Sequence, residues 1–434
     1  MRILFDTAVY DLSNKGNVAM LQAAVNRIAG LWPEASIRII AQGSQRVRLY
    51  FPKCEGVDPY LGRVSKGRER INRLYGSIPR PALRLLMELR EEVQHRRTTQ
   101  PLGQPEPDPE AWRLVLKNLP YAELDGGIDL LVATGGQYMA DVVKPLALGV
   151  LNRLELAIQR GIPTVMVGQG IGPIEDAELI SRAQEVLPRV ELILIREKKY
   201  APTLLSSLGV QPDRVVLTGD DAIEMAFEAR SPSIGQEIGV GMRVAHYTKI
   251  NEDHLASIQL ALSEASQRYG ARLISLPISH GWYEAEVDDQ VIRRLSAGQL
   301  DRRRGLNVFD SPSAIIKSVS RCRVVVTGAF HPAVFALAQG IPAVCLAKSN
   351  EYVTKFMGLA DQFGPGCQVI VLDGAQSGDQ LRQAIDAAWS SATQLRPQLL
   401  EAGGRQIEWG HAGYQRIFEL VTSLKARREL VPSD

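Results

Sequence analysis

His331 is the side chain whose chemistry and position best suit proton transfer. It stands between an apolar run at 323–328 and a second apolar stretch that begins at Pro332. An imidazole has an ordinary pKa of about 6.5, so it can give or take a proton at neutral pH. The alternative is a buried histidine that bonds to a neighbouring loop. His280, which ends the strand predicted over 271–279, is a second candidate for the site.

Four basic side chains lie in or follow predicted strands or helices, and they are candidate contacts for an anionic ligand: Arg196, Arg243, Lys348 and Lys355. The planar fork of an arginine matches a carboxylate or a phosphate. Arg243 lies within a nearly apolar strand, and a buried guanidinium requires either a ligand or an internal acid as its partner. Arg196 ends its strand, and pairing with an internal carboxylate is again the alternative.

Glycine and amide residues follow three predicted strands in the first half of the chain. Ligands bind at the carboxyl ends of parallel strands, and glycines let backbone N–H groups approach an anion. The candidate binding residues in these loops are Asn14, Gly16, Asn17, Gly136, Gln137, Gln169 and Gly170. A tight structural turn is the alternative for the loop at Gly170. Asp220 and Asp221 end a further strand, where we expect them to cap the helix over 222–228 rather than to hold a metal.

The sequence lacks the motifs of several large enzyme classes. The glycines at 168–172 do not form the GxGxxG fingerprint, and the sequence contains no GxxxxGK[ST], HExxH or GxSxG. The glycines at 168–172 are therefore no evidence of a dinucleotide-binding site. The absence of the other three motifs argues against a P-loop NTPase, a zinc protease and an α/β-hydrolase.

Short Val/Ile/Leu runs that alternate with helical segments must position the candidate residues. Such runs are typical of strands buried on both faces of a parallel sheet. They lie at 1–9, 36–41, 128–134, 163–169, 190–195 and 214–219 and, after a polar linker at 229–237, at 238–245, 271–279, 323–328, 342–347 and 368–373. The spacing predicts βαβ units in two parallel sheets, with the expected site in the cleft between them.

We therefore predict an N-terminal Rossmann-like domain over 1–233 and a C-terminal one over 234–400. The last segment, 401–434, is expected to contain a helix that crosses back onto the first domain. Residues 53–125 interrupt the first series, and from 62 to 97 they carry ten Lys or Arg against four Asp or Glu. One interpretation is an arm that meets an acidic or lipid-linked partner, with peripheral membrane contact. The other is a solvated helix with a flexible loop.

The composition limits the class of protein. The chain has 434 residues, of which 45% are hydrophobic and 23% charged, and its formal net charge is +2. That balance argues against nucleic acid or an anionic membrane as the partner of the whole protein. No apolar stretch reaches the roughly 20 residues of a spanning helix, and the four cysteines are widely spaced. We expect a cytoplasmic protein with reduced cysteines and no metal. No pattern indicates an oligomeric state.

The block GAFHPAVFALAQGIPAVCLAKSNEYVTKFMGLADQFG at 328–364 resembles the signature block of the polysaccharide pyruvyl transferase family. Earlier segments agree with the family in order, at 14–17, 135–137, 168–173, 196–197, 208–210 and 220–222. The resemblance covers nearly the whole chain apart from 53–125 and the tail.

This resemblance implies a GT-B-like fold, in which two Rossmann-like domains face a central cleft. It also implies transfer of pyruvate from phosphoenolpyruvate, the co-substrate, to two hydroxyls of a sugar, which gives a ketal without a cofactor. The implied acceptors are sugars of cell-wall, capsular or exopolysaccharides, often as lipid-linked precursors at the inner face of the membrane. His331 matches the histidine of the family.

The chain departs from many relatives at Ala329, where they carry an arginine two residues before the histidine. Lys348, Lys355 or Arg196 must then hold the anion of the donor, or the donor differs. Two other functions stay open. One is a GT-B glycosyltransferase that uses a nucleotide sugar, and the other is a non-catalytic member of a polysaccharide assembly complex.

Overall fold

The computed structural model describes residues 1–8, 12–41, 44–57, 127–279, 288–296, 298–300, 310–373 and 377–429, together with Ala82 and Leu124. The predicted α/β class is confirmed, because these residues form two sheets whose paired strands are all parallel. Most of the segment 53–125, including its basic part at 62–97, lies outside the described residues, and so does His280.

The first sheet has the strand order β3-β2-β1-β4-β6-β7-β8, with β5 paired to β6. Its strands are β1 (Arg2–Asp6), β2 (Ser36–Ile40), β3 (Glu55–Val57), β4 (Leu130–Ala133), β5 (Gly136–Met139), β6 (Thr164–Ile171), β7 (Leu192–Ile195) and β8 (Val215–Leu217). Every residue of β4, β6 and β7 is buried, as expected for strands covered by helices on both faces.

Helices connect and cover these strands within the described part of the first half. They are α1 (Lys15–Leu31), α2 (Ser44–Tyr50), α3 (Lys144–Gln159), α4 (Ala177–Val186), α5 (Ala201–Ser207) and α6 (Ala222–Glu228). Polar caps fix where two of them begin. Asn14 accepts from the N–H groups of Gly16 and Asn17 at the start of α1, and Asp176 accepts from that of Leu179 in α4.

The second sheet has the order β10-β9-β11-β12-β13. Its strands are β9 (Glu237–Gly241), β10 (Leu273–Ser275), β11 (Cys322–Thr327), β12 (Ala343–Ala347) and β13 (Cys367–Val371), and its helices are α7 (Glu252–Tyr269), α8 (Asp288–Leu295), α9 (Pro312–Val319), α10 (Phe330–Ala338) and α11 (Asn350–Phe363). The four cysteines are free, and Cys322, Cys345 and Cys367 are buried in this half.

One long helix, α12 (Ser377–Glu429), joins the two halves. Its first part packs on the second sheet, where Leu381 and Ile385 share a core with β9. Its later part packs on the first sheet, where Tyr414 and Ile417 are buried with residues of β1. The helix thus begins at Ser377, well before the segment for which the sequence indicated a crossing.

Two short strands were not predicted from the sequence. The sequence predicts a loop at β5 because its residues, Gly-Gln-Tyr-Met, form no Val/Ile/Leu run. The three residues of β3 lie at the edge of the sheet and inside the segment taken as an interruption. Both strands form by pairing with residues that are distant in the sequence, so neither has a clear signal in its own residues.

The two halves are in contact across the cleft. Ala19 and Met20 of α1 and Ile223 of α6 share one apolar cluster with Val334 and Phe335 of α10. This contact brings the start of α10, which carries His331, against the carboxyl edge of the first sheet.

Candidate functional site

His331 lies in the first turn of α10, and its side chain is buried between the two halves. Its Nε2 lies 3.4 Å from Sδ of Met20 and 3.9 Å from Oδ2 of Asp220. Burial lowers the pKa of His331 to about 4, against the opposing effect of the Asp220 carboxylate. The imidazole is therefore neutral at pH 7, which is the form that accepts a proton.

Asp220 links His331 to Arg196. It follows β8, and its Oδ2 lies 3.4 Å from Nη1 of Arg196. Its Oδ1 accepts from the backbone N–H of Ala222 at 3.0 Å, so Asp220 meets the start of α6 as expected. Asp221 makes no side-chain cap. Its carboxylate is instead 2.7 Å from Nη1 of Arg27.

Arg196 directly follows β7, and several neighbouring groups hold its side chain. Its Nη2 donates to Oε1 of Gln137 at 2.6 Å, and its guanidinium lies 4.3 Å from the ring centroid of Phe330. Gly170 lies directly beneath it, since a Cβ added there would be 2.6 Å from Nη2. The structure thus brings together Gln137, Gly170 and Arg196. The internal carboxylate considered as the alternative partner of Arg196 is Asp220.

Lys355 belongs to the same cluster. Its Nζ donates to Oε1 of Glu351 at 2.6 Å and lies 4.7 Å from the ring centroid of Tyr352. Burial lowers the pKa of Lys355, while the Glu351 carboxylate opposes this shift. The positive charges of Arg196 and Lys355 also lower the pKa of His331, so all three groups lie within electrostatic range.

A pocket opens beside these groups at the junction of the two halves. It is lined by Gln137, Gly170, Ile171, Arg196, Glu197, Asp220, Phe330, Thr354, Lys355, Leu359 and Gln362. Two basic side chains therefore share one pocket, next to a neutral imidazole. Such an arrangement can bind an anion and move a proton close to it.

Arg243 has an internal acid as its partner, which is one of the two possibilities left open by the sequence. Its Nε and Nη2 donate to the two carboxylate oxygens of Asp288 at 2.7 and 3.1 Å. Oδ2 of Asp288 also accepts from the N–H groups of Ile278 and Ser279. Arg243 thus makes a bidentate contact with Asp288. Sequence reasoning missed Asp288, which lies 45 residues along the chain from Arg243.

Lys348 lies apart from this cluster in its observed contacts. Its ammonium group forms an ion pair with Asp373, which is largely exposed and follows β13. The side chains of Lys348 and Lys355 extend from different elements, the end of β12 and the second turn of α11, so they point to different partners.

The remaining candidates from the sequence have distinct structural roles. Asn14 caps α1, and Asn17 lines a second small pocket with Thr7 and Thr134. Gln169 is fully buried and donates from Nε2 to three backbone carbonyls, each at 3.1 Å. Gly16 lies against the His331 ring, and Gly136 is the first residue of β5, with a φ of 156°. Gly170 lies beneath Arg196.

Two classes of site are missing from the described ranges. They contain no group of three or more His, Cys, Asp or Glu side chains that could hold a metal ion. None of the helices described is long and apolar enough to cross a membrane.

Solved structures share the fold of this chain. The S. aureus MnaA–UDP co-structure matches with a TM-score of 0.56 and 14% identity over 100% of this chain and 98% of the other. UDP-GlcNAc 2-epimerase from Neisseria meningitidis, bound to UDP-GlcNAc, matches with a TM-score of 0.53 and 12% identity over 97% of this chain and 100% of the other. The glycotransferase of kitacinnamycin matches with a TM-score of 0.51 and 11% identity over 98% of each chain. These likenesses confirm the predicted GT-B-like fold.

Sequence comparison supplies the family. No curated protein shows a significant sequence match to the chain. The family model for polysaccharide pyruvyl transferase matches residues 14–350, which include His331, Arg196 and Asp220. The match spans well over half of the chain, and the family is one of transferases. The chain belongs to the polysaccharide pyruvyl transferase family.

Proposed function

We propose that this protein transfers a pyruvyl group from phosphoenolpyruvate to two hydroxyls of a sugar and so forms a pyruvate ketal. The observation that carries the proposal is the shared pocket of Arg196 and Lys355 beside His331. Family membership supports the reaction class. The proposed acceptor is a sugar of a cell-surface polysaccharide or of its lipid-linked precursor.

Arg196 and Lys355 are the proposed contacts of the donor. Phosphoenolpyruvate carries a carboxylate and a phosphate, and guanidinium and ammonium groups bind such anions. In the described contacts, Arg196 donates to Asp220 and Gln137, and Lys355 donates to Glu351. Both side chains have more N–H groups than these bonds use. They would take the place of the arginine that many relatives carry at the position of Ala329, a buried residue here.

His331 is the proposed proton carrier. A neutral imidazole takes the proton of the attacking sugar hydroxyl as its oxygen bonds to the enol carbon. In the same step the imidazolium gives this proton to the methylene carbon of the donor, which becomes the methyl group, so that no carbanion is left. A second hydroxyl then displaces phosphate at the same carbon, its proton leaves with the phosphate, and the ketal ring closes. The products are the ketal and inorganic phosphate, so the balance needs no redox partner and no cofactor.

Asp220 is proposed to position His331 and to stabilise its imidazolium form. Its Oδ2 is 3.9 Å from Nε2 and carries the opposite charge. In a buried site, such a carboxylate favours the protonated ring once the proton has arrived.

We further propose that the reaction takes place in the cytoplasm, where a lipid-linked precursor would be met at the inner face of the membrane. The basic segment 62–97 is the proposed point of peripheral contact, and all of it except Ala82 lies outside the described residues.

The test combines binding with product analysis. Phosphoenolpyruvate at about 100 times its Kd should add about 2.7 kcal/mol to the unfolding free energy, which a thermal melt detects. Phosphate release is then measured with phosphoenolpyruvate and a panel of methyl glycosides. The product should gain the mass of pyruvic acid less one water.

A matched variant separates chemistry from binding. His331→Asn should still bind phosphoenolpyruvate and should release no phosphate. A thermal shift with UDP-sugars and none with phosphoenolpyruvate would instead indicate glycosyl transfer. Wild-type protein that responds to neither donor, and releases no phosphate with any glycoside, would favour a non-catalytic member of an assembly complex.

A further inference from the structure

Glu351 places a half-satisfied carboxylate beside the proposed donor pocket. The residue lies in the first turn of α11 and is 5% exposed. Its Oε1 accepts from Nζ of Lys355 at 2.6 Å. Its Oε2 is buried and has no hydrogen-bond partner among the described residues.

A buried carboxylate oxygen without a partner is unfavourable, because it has lost its water and gained nothing in return. Burial lowers the pKa of Arg196, which lines the pocket, and the charge of Glu351 is one of the effects that oppose this shift. This carboxylate therefore lies close to both basic groups of the site. An anionic ligand cannot satisfy Oε2, since two negative charges repel. A group with an O–H or N–H donor can.

We propose that Oε2 of Glu351 accepts a hydrogen bond from a hydroxyl of the acceptor sugar. This inference rests on the proposed function, in which the second substrate is a neutral polyol. Oε1 holds Lys355 for the anionic donor, and Oε2 binds the acceptor. One carboxylate thus divides the site into a side for an anion and a side for a hydroxyl.

The competing explanation is that Glu351 only positions Lys355. The two explanations differ in which substrate is affected when the charge is removed. A pure positioning role predicts weaker binding of phosphoenolpyruvate. A contact with the acceptor predicts an effect on the acceptor alone, with donor binding unchanged or tighter because a negative charge near the donor has gone.

The experiment uses the full chain and the variant Glu351→Gln, which keeps the size of the side chain. The Kd of phosphoenolpyruvate is measured by calorimetry without acceptor. The acceptor KM and kcat are measured by phosphate release with the methyl glycoside that reacts best with wild type. We expect a donor Kd within about threefold of wild type and a kcat/KM for the acceptor that falls about 10- to 100-fold, as for a lost bond to a charged group.

Asp361→Asn is the matched control. Asp361 lies on the same helix, is exposed, and has Lys198 as its ion-pair partner at 3.7 Å. This variant should keep the wild-type Kd for phosphoenolpyruvate and the wild-type kcat/KM for the acceptor. If Glu351→Gln does not fold, Glu351→Asp replaces it. The shorter side chain keeps the charge but withdraws both carboxylate oxygens, so the donor Kd should rise as well, and the expected result is a loss in acceptor kcat/KM that exceeds this rise.

An unchanged acceptor kcat/KM in Glu351→Gln, with normal donor binding, would overturn the inference and leave the proposed function intact. A weaker donor Kd with an unchanged acceptor KM would assign Glu351 to positioning Lys355 alone. Wild-type protein that does not bind phosphoenolpyruvate would overturn the proposed function and this inference with it.

Discussion

The imidazole of His331 lies directly against the backbone of Gly16. A methyl group added at Gly16 would fall 1.9 Å from Nδ1 of His331, although the two residues belong to different halves of the molecule. The start of α1 and the start of α10 are therefore in contact. The ring fits there because the residue at position 16 is a glycine.

Gly16→Ala should displace His331 and abolish most of the activity. Since the ring and the new methyl group cannot share the space, we expect a loss of about 1–3 kcal/mol in the unfolding free energy. Urea unfolding and phosphate release measure the two effects. Gly30→Ala is the matched control in the same helix, because nothing lies within 4 Å of its added Cβ. It should keep activity and gain up to about 1 kcal/mol in stability.

The folded protein should lose stability in mild acid through His331. The pKa of His331 is about 4 in the folded protein and about 6.5 in an unfolded chain, so the unfolded state binds the proton more tightly. The contribution is present above about pH 6.5 and is lost as the pH falls towards 4, by roughly 3 kcal/mol at most. In urea unfolding, the stability of wild type relative to His331→Asn should decline over this range. Parallel pH curves for the two proteins would contradict the assignment.

Lys355 and Lys348 should differ sharply in their effect on donor binding. Lys355→Met removes a charge from the pocket and should raise the Kd of phosphoenolpyruvate about 10- to 100-fold, as for a lost charge-assisted bond. Lys348→Met breaks a partly exposed ion pair with Asp373 and should change the Kd little. Calorimetric measurement of the Kd of phosphoenolpyruvate for both variants tests this difference. An equal loss in the two would place Lys348 in the site as well.

Asp288→Asn should destabilise the second half of the protein. It leaves the guanidinium of Arg243 buried without its charged partner, which costs about 3–5 kcal/mol. The double variant Arg243→Met/Asp288→Asn removes both charges, keeps an acceptor for the N–H groups of Ile278 and Ser279, and should be more stable than the single one. Urea unfolding of the three proteins tests this, and equal stability of single and double variants would contradict the cost assigned to the unpaired guanidinium.

The architecture was largely predictable from the sequence, because most of the buried strands are rich in Val, Ile and Leu. The runs at β1, β6 and β11 mark their strands to within a few residues. Helix caps were less visible. The sequence predicts Asn14 as a binding residue, and the structure shows that its side chain caps α1 and also lines a small pocket. An asparagine after a strand suits both roles, and the cap has no clear signal in the local sequence.

Some members of the candidate site were predictable from the sequence, but their partners were not. His331 and Arg196 were identified from their places at strand ends. Asp220 is 111 residues from His331 along the chain, and only the packing of the two halves brings it within 3.9 Å. Glu351 gave no signal, since an acidic residue in the first turn of a helix is common. Pairings of this kind depend on tertiary contacts that a single sequence does not encode locally.

The helix α12 makes the order of synthesis matter for folding. Tyr414, Ile417 and Val421 share a core with residues of β1 and β2, which stand far earlier in the chain. At 5–20 residues per second, a ribosome needs about 10–40 s to pass from the end of β8 to Val421. During this interval the apolar surface that these three residues cover stays exposed on the nascent chain. The core around β1 and β2 therefore becomes complete only after this part of α12 has been made.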